Sequence, residues 1–309
     1  NDTFNGAAGS DALYGHGGND TFNVTDKSGT FTDTIDGSTG TDTLVIDYTG
    51  VSDLGDFASL HYEDIVGDVQ TGTSILTDTN GGTITFKSIE NFTVGDYTYD
   101  ILHMSDSGGA PTGYGNGFWN STEKVLYLNS YAWDSDGDGV ITNDDAIKGG
   151  GEWTSNVWKP SNSIALSGLT KTMDVTIQGT DYWERFTLNV DREDEYSGNW
   201  TFNLGDGIDI LYSAKLKNGD SVDMGAGDDQ IDIMVGGGSG TPTIANLNLT
   251  KLDGGAGSDT MKWDESTAVN GQELTLTTGG AVNFENIYGT SATETIKGDA
   301  NDNILKGGR

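Results

Sequence analysis

No cysteine occurs in the chain, which excludes a disulfide scaffold and any thiolate metal site. Basic residues are scarce: 15 Lys and Arg stand against 48 Asp and Glu, so 15 − 48 leaves a formal charge of −33. A phosphate backbone is gripped through clustered Lys and Arg, so this balance argues against nucleic acid as a partner. No apolar run approaches the roughly 18 residues of a membrane span, and membrane insertion is not expected. Only three histidines are present, His16, His61 and His103, and none sits in a His-Glu-x-x-His helix motif. A Gly-x-Ser-x-Gly elbow and a glycine-rich phosphate loop with lysine are also missing. Nothing selects an acid/base pair from the many carboxylates, so the chain is expected not to be an enzyme. There is no secretory signal, and the chain begins and ends inside repeats. The expectation is a monomeric piece of a longer protein.

What is present argues for folding. A disordered acidic tail has few aromatics, whereas this chain has 7 Trp, 12 Tyr and 10 Phe among its 309 residues. Glycine, at 47 residues, is about twice as common as usual. It is also placed periodically. Asp2, Asp11 and Asp20 fall nine apart, each followed two residues later by an apolar side chain, Phe4, Leu13 and Phe22. Between them lie Gly6-Ala7-Ala8-Gly9-Ser10 and Gly15-His16-Gly17-Gly18-Asn19. The pattern G-G-x-G-x-D-x-U-x, with U a large apolar residue, returns around Asp33 and Asp42 and again around Asp209, Asp220, Asp229 and Asp259. Near the end it persists with Glu294 and Asn303 in the Asp slot. A second echo links Gly81-Gly82-Thr83-Ile84-Thr85-Phe86-Lys87-Ser88-Ile89-Glu90-Asn91 to Gly279-Gly280-Ala281-Val282-Asn283-Phe284-Glu285-Asn286, both alternating at strand period.

The period has a physical reading. The apolar residue lies on a short strand and points into the narrow core of a parallel β-roll, while the glycines close a tight turn. Each Asp then offers a carboxylate to a hard cation held between stacked turns. Oxygen-only ligands suit calcium, at about 2.3–2.6 Å. Several Ca2+ ions are expected, with Asp11, Asp20, Asp33, Asp42, Asp209, Asp220, Asp229 and Asp259 as ligands and with folding linked to the ion.

These repeats resemble those of RTX proteins, the calcium-dependent secreted family, over roughly residues 1–46 and 204–309. The expected fold class is all-β: parallel β-roll or β-helix RTX repeats flanking an inserted, β-rich, sandwich-like module. Residues 1–103 and 204–309 each read as repeats plus a β-strand extension, and residues 104–203 as the insert. Six of the seven Trp lie in the insert. So does the loop Asp134-Ser135-Asp136-Gly137-Asp138-Gly139-Val140-Ile141-Thr142-Asn143-Asp144-Asp145, whose spacing is that of an EF-hand-type calcium loop. Asp134, Asp136, Asp138, Val140 (through its carbonyl), Thr142 and Asp145 are its expected ligands, with Asp145 standing where Glu is usual. Six Trp exceed what a module of this size readily buries. Trp119, Trp153 and Trp158, in Gly/Ser/Asn-rich stretches, are therefore expected at the surface as contact platforms.

Calcium repeats around a β-rich insert resemble the ligand-binding region of a long RTX adhesin, and of its two kinds the peptide-binding one more than the lectin. That resemblance implies an extracellular, bacterial-surface location. It also implies a partner on a target surface, either peptide and protein C-termini captured on a calcium ion or glycans held by calcium and Trp. A part of an RTX polysaccharide-active enzyme is a further alternative.

Overall fold

The computed structural model describes residues 1–63, 73–103, 116–128, 130–132, 168–170, 172–181, 185–187, 198–214, 216–217, 219–233, 251–265, 268, 270–276 and 281–308. Among these the protein is all-β, as expected, with one 3-10 turn at Leu54–Asp56. No helix is long and apolar enough to cross a membrane among the described residues. The chain divides into two compact units, Asn1–Lys148 and Gly149–Arg309.

The first unit contains β1 (Thr3–Asn5), β2 (Ala12–Tyr14), β3 (Thr21–Thr25), β4 (Thr32–Asp36), β5 (Thr43–Asp47), β6 (Phe57–Glu63) and β7 (Thr73–Asp78). They are followed by β8 (Thr83–Lys87), β9 (Asn91–Val94), β10 (Tyr97–His103), β11 (Asn116–Asn120), β12 (Val125–Leu128) and β13 (Ser130–Ala132). Successive repeat strands alternate between two sheets. One runs β1-β3-β5-β9-β10-β11-β12 and the other β13-β6-β7-β8-β4-β2. This alternation is the β-roll: each nine-residue unit supplies one strand and one turn to one wall. The apolar slots fall into register, Phe4 beside Phe22, Phe22 beside Leu44 and Leu44 beside Phe92. On the other wall Leu13, Ile35 and Phe86 line up in the same way. Phe86 and Phe92 meet across the core with ring centroids 5.2 Å apart.

Beyond the repeats the first unit turns antiparallel. β6, β7 and β8 form one meander, and β9 to β12 form another. The ladder passes through residue 103 and on to Leu128, so residues expected in the insert extend the wall of the repeats.

The second unit contains β14 (Val175–Gln178), β15 (Arg185–Thr187), β16 (Trp200–Asn203), β17 (Ile210–Ala214), β18 (Ser221–Asp223) and β19 (Gln230–Ile233). It continues with β20 (Lys251–Asp253), β21 (Thr260–Trp263), β22 (Gln272–Thr275), β23 (Asn286–Tyr288), β24 (Glu294–Lys297) and β25 (Ile304–Lys306). Its walls are β14-β16-β18-β20 and β15-β17-β19-β21-β23-β25, with β22-β24 as a further parallel pair. Here Leu211, Ile231, Met261 and Ile287 stack on one wall and Ile177, Phe202, Val222 and Leu252 on the other, nearly all fully buried. Parallel pairing starts at Val175, ahead of the first recognisable repeat.

Trp119 corrects an expectation. It lies on β11 and is completely buried, as is Phe118 beside it, so both faces of this strand are covered. A surface contact platform is not open to it. The glycines before it read as a loop, yet pairing with β10 on one side and β12 on the other makes residues 116–120 a strand interior. Trp153 and Trp158 lie outside the described residues.

Candidate metal centres

Stacking the turns brings the Asp slots into columns. In a parallel ladder, equivalent residues of adjacent strands sit about 4.8 Å apart. The first column holds Asp2, Asp20, Asp42 and Glu90. The Asp2 amide donates to Asp20 Oδ1 at 2.5 Å, the Asp20 amide to Asp42 Oδ1 at 2.8 Å, and the Asp42 amide to Glu90 Oε2 at 2.6 Å. On the opposite wall the Asp11 amide donates to Asp33 Oδ1 at 2.9 Å. The second unit repeats the device with Asp209, Asp229, Asp259 and Glu285, at 2.7, 2.8 and 2.8 Å. A shorter column joins the Trp200 amide to Asp220 Oδ1 at 2.8 Å. Asp20, Asp42, Glu90, Asp33, Asp220, Asp229, Asp259 and Glu285 thus each use one oxygen to cap the turn before them.

The second oxygen is what bears on a metal. Asp20, Asp42 and Asp259 are at most 1 % exposed, and the Oδ2 of each is buried without a hydrogen-bond partner. A buried carboxylate oxygen left in this way is costly, and its neighbours in the column carry the same charge. Two such charges about 4.8 Å apart repel by roughly 3 kcal/mol at an effective dielectric of 20. The arrangement suits a hard cation lying along the column.

Glycine lines the other half of each turn. Gly205, Gly225 and Gly255 have φ of 99°, 101° and 98°, and a Cβ at Gly225 or Gly255 would overlap the carbonyl oxygen of the glycine one turn earlier. The turns are pinned by amide bonds from Ala226 to the Gly205 carbonyl at 3.0 Å and from Ala256 to the Gly225 carbonyl at 2.9 Å. Among the described residues no three acidic or histidine side chains converge on one point. One carboxylate per turn is in line, so backbone carbonyls of the glycine turns would complete any coordination shell.

Asp11, Asp20, Asp33, Asp42, Asp209, Asp220, Asp229 and Asp259 therefore all occupy equivalent places in columns. The loop residues Asp134, Asp136, Asp138, Val140, Thr142 and Asp145 lie outside the described residues. Three participants went unrecognised in the sequence. Glu90 and Glu285 close the two long columns, and each is followed by Asn and then by the inward apolar residue, Phe92 or Ile287. That Glu-Asn-U signal lay inside the echo already noted. The third is Lys27, whose side chain is buried with its Nζ 2.8 Å from Asp11 Oδ2 and 2.8 Å from Asp33 Oδ2.

No protein-family model matches this chain, and no curated protein does. Among solved structures it is similar to the extracellular lipase LipA from Serratia marcescens, at 16% identity and a TM-score of 0.17, over 85% of this chain and 32% of that one. The chain spans about a third of that lipase's length, and a TM-score this low carries no argument about activity.

Proposed function

We propose that this chain is a calcium-dependent ligand-binding region of a large RTX adhesin, displayed outside the cell, and that it binds the C-termini of peptides or proteins. The observation that supports it most is the column of buried carboxylates with an unpartnered Oδ2 on Asp20, Asp42 and Asp259. Such columns are self-repelling without a divalent cation and favourable with one, so the fold is tied to surroundings rich in calcium. Calcium takes six to eight oxygen ligands in flexible geometry, which accommodates turns contributing one carboxylate and several carbonyls.

The ligand reading rests on the Asp134–Asp145 loop. An ion with an unfilled coordination position would turn a repulsive acidic surface into a site for a terminal carboxylate. Non-enzymatic action is part of the same proposal: the carboxylates of the columns serve as cation ligands and caps, and nothing in the sequence selects an acid/base pair from the others.

The test is a library of free-carboxylate and C-terminally amidated peptides, probed beside a glycan array, each in calcium and in chelator. Calcium-dependent binding of free-carboxylate peptides, abolished by amidation, is the expected result. Equal binding of the amidated forms would defeat the terminal-carboxylate mechanism. Signal on glycans alone would make the region a lectin instead.

A further inference from the structure

Fifteen basic residues serve 309, and among those described Lys27 is buried in the roll. Lys27 lies in the turn between β3 and β4, where the nonapeptide breaks register. The turn reads Asp26-Lys27-Ser28-Gly29-Thr30 in place of Gly6-Ala7-Ala8-Gly9-Ser10. Its side chain is fully enclosed. The ammonium stands 2.8 Å from the Gly9 carbonyl, 2.8 Å from Asp11 Oδ2, and 3.0 and 2.8 Å from Asp33 Oδ1 and Oδ2. The Phe31 ring, with its centroid 5.2 Å from Nζ, covers it.

This is the donor set a metal would need at that step: carboxylates from two successive turns and a carbonyl from a glycine turn. The step is also a short one. Beyond Asp33 the next strand of the wall presents Ile84 in the same slot, so no third acid follows. The first column differs in continuing to Glu90 and in having, among the described residues, no lysine ammonium on the buried Oδ2 of Asp20 or Asp42; Asp33 Oδ2, which likewise makes no hydrogen bond, is held by the Lys27 ammonium at 2.8 Å. An ammonium has three donors to share among close oxygens, so the carbonyl and the two acids are satisfied by the one side chain.

We propose that the Lys27 ammonium is a built-in cation that joins the Asp11 and Asp33 turns in the place where other turns take up calcium, so that this stacking step forms without metal. The inference rests on the calcium reading of the other columns. It makes the β2–β4 step a portion of the roll already assembled when calcium is scarce. It also removes Asp11 and Asp33 from the set of metal ligands.

Calorimetric calcium titration of the full chain, stripped with chelator beforehand, tests this with four proteins: wild type, Asp11→Asn, Asp20→Asn and Lys27→Met. Asp20→Asn should bind one ion fewer than wild type, whereas Asp11→Asn should bind the same number. Lys27→Met should bind one more, because two carboxylates and a carbonyl are freed. In chelator its melting midpoint should fall by about 10 °C, and calcium should restore it. Loss of an ion from Asp11→Asn, or an unchanged count in a folded Lys27→Met, overturns the proposal. If Lys27→Met does not fold, the comparison of Asp11→Asn with Asp20→Asn decides alone. Wild-type protein that binds no calcium removes the calcium reading itself and leaves Lys27 as a buried ion pair with nothing to replace.

Discussion

Burial of Asp259 pushes its pKa up to about 6; the Asp229 amide lowers it, and the charges of Glu285, Asp228 and Asp253 raise it further. A folded-state value above the unfolded 3.8 means that the folded, metal-free chain holds a proton the unfolded chain releases. The penalty is complete above about pH 6 and is relieved as pH falls through that value toward 3.8. Metal-free protein should therefore melt higher at pH 5 than at pH 7. Asp259→Asn should reduce that difference, since Asn keeps an acceptor for the Asp229 amide but carries no charge. Calcium opposes the proton at this residue, so affinity should weaken below pH 6. Gly225 makes a different demand. Alanine there would meet the Gly205 carbonyl and hold a φ of 101°. Gly225→Ala should cost about 3 kcal/mol in denaturant unfolding. Gly81→Ala, at φ 81° but with open space around it, should cost about 1 kcal/mol.

The strands closing the columns carry a prediction of their own. Glu285 accepts the buried Asp259 amide at 2.8 Å, and Glu285→Ala leaves that donor without its acceptor. The expected loss is about 2 kcal/mol, with Glu285→Gln losing less because an acceptor remains. Equal stability of the two variants would show that the cap is dispensable. How visible such elements are in the sequence depends on what holds them. β3, β5, β19 and β21 are legible because Asp, glycine and apolar residue are each fixed by a local demand at constant spacing. β23 is half legible: its strand period shows, but Glu in the Asp slot and a glycine pair, Gly279-Gly280, standing one residue too early conceal its place in the column. β14 and β16 have no nonapeptide at all, and their parallel register comes from pairing with each other and, through β16, with β18, which is tertiary context. β11 is hidden for the same reason, behind glycines that signal a loop when read alone. Lys27 was invisible because nothing in a single lysine reports the two acids that the fold brings to it.

At the scale of the whole molecule, the turns line up part of the acidic excess behind the charge of −33 in buried columns. The fold lines up like charges at strand spacing, so metal-free protein should respond strongly to ionic strength. Raising sodium chloride from about 0.05 to about 1 M should increase its melting midpoint, because the Debye length falls to about 3 Å. Calcium-loaded protein should respond far less. The capping bonds have one more consequence. From Asp2 to Glu90 and from Asp209 to Glu285, every amide in the column donates to the carboxylate of the turn that follows it in the chain. Each roll is thus polar along its axis, and severing one between turns yields unequal halves. A fragment starting at Met224 retains the acceptors for the Asp229 and Asp259 amides, whereas one ending at Asp253 strands the Asp229 amide. Hydrogen exchange on the two fragments should find the fresh end protected in the first and open in the second. Such a roll erodes from its C-terminal edge and tolerates shortening from the other.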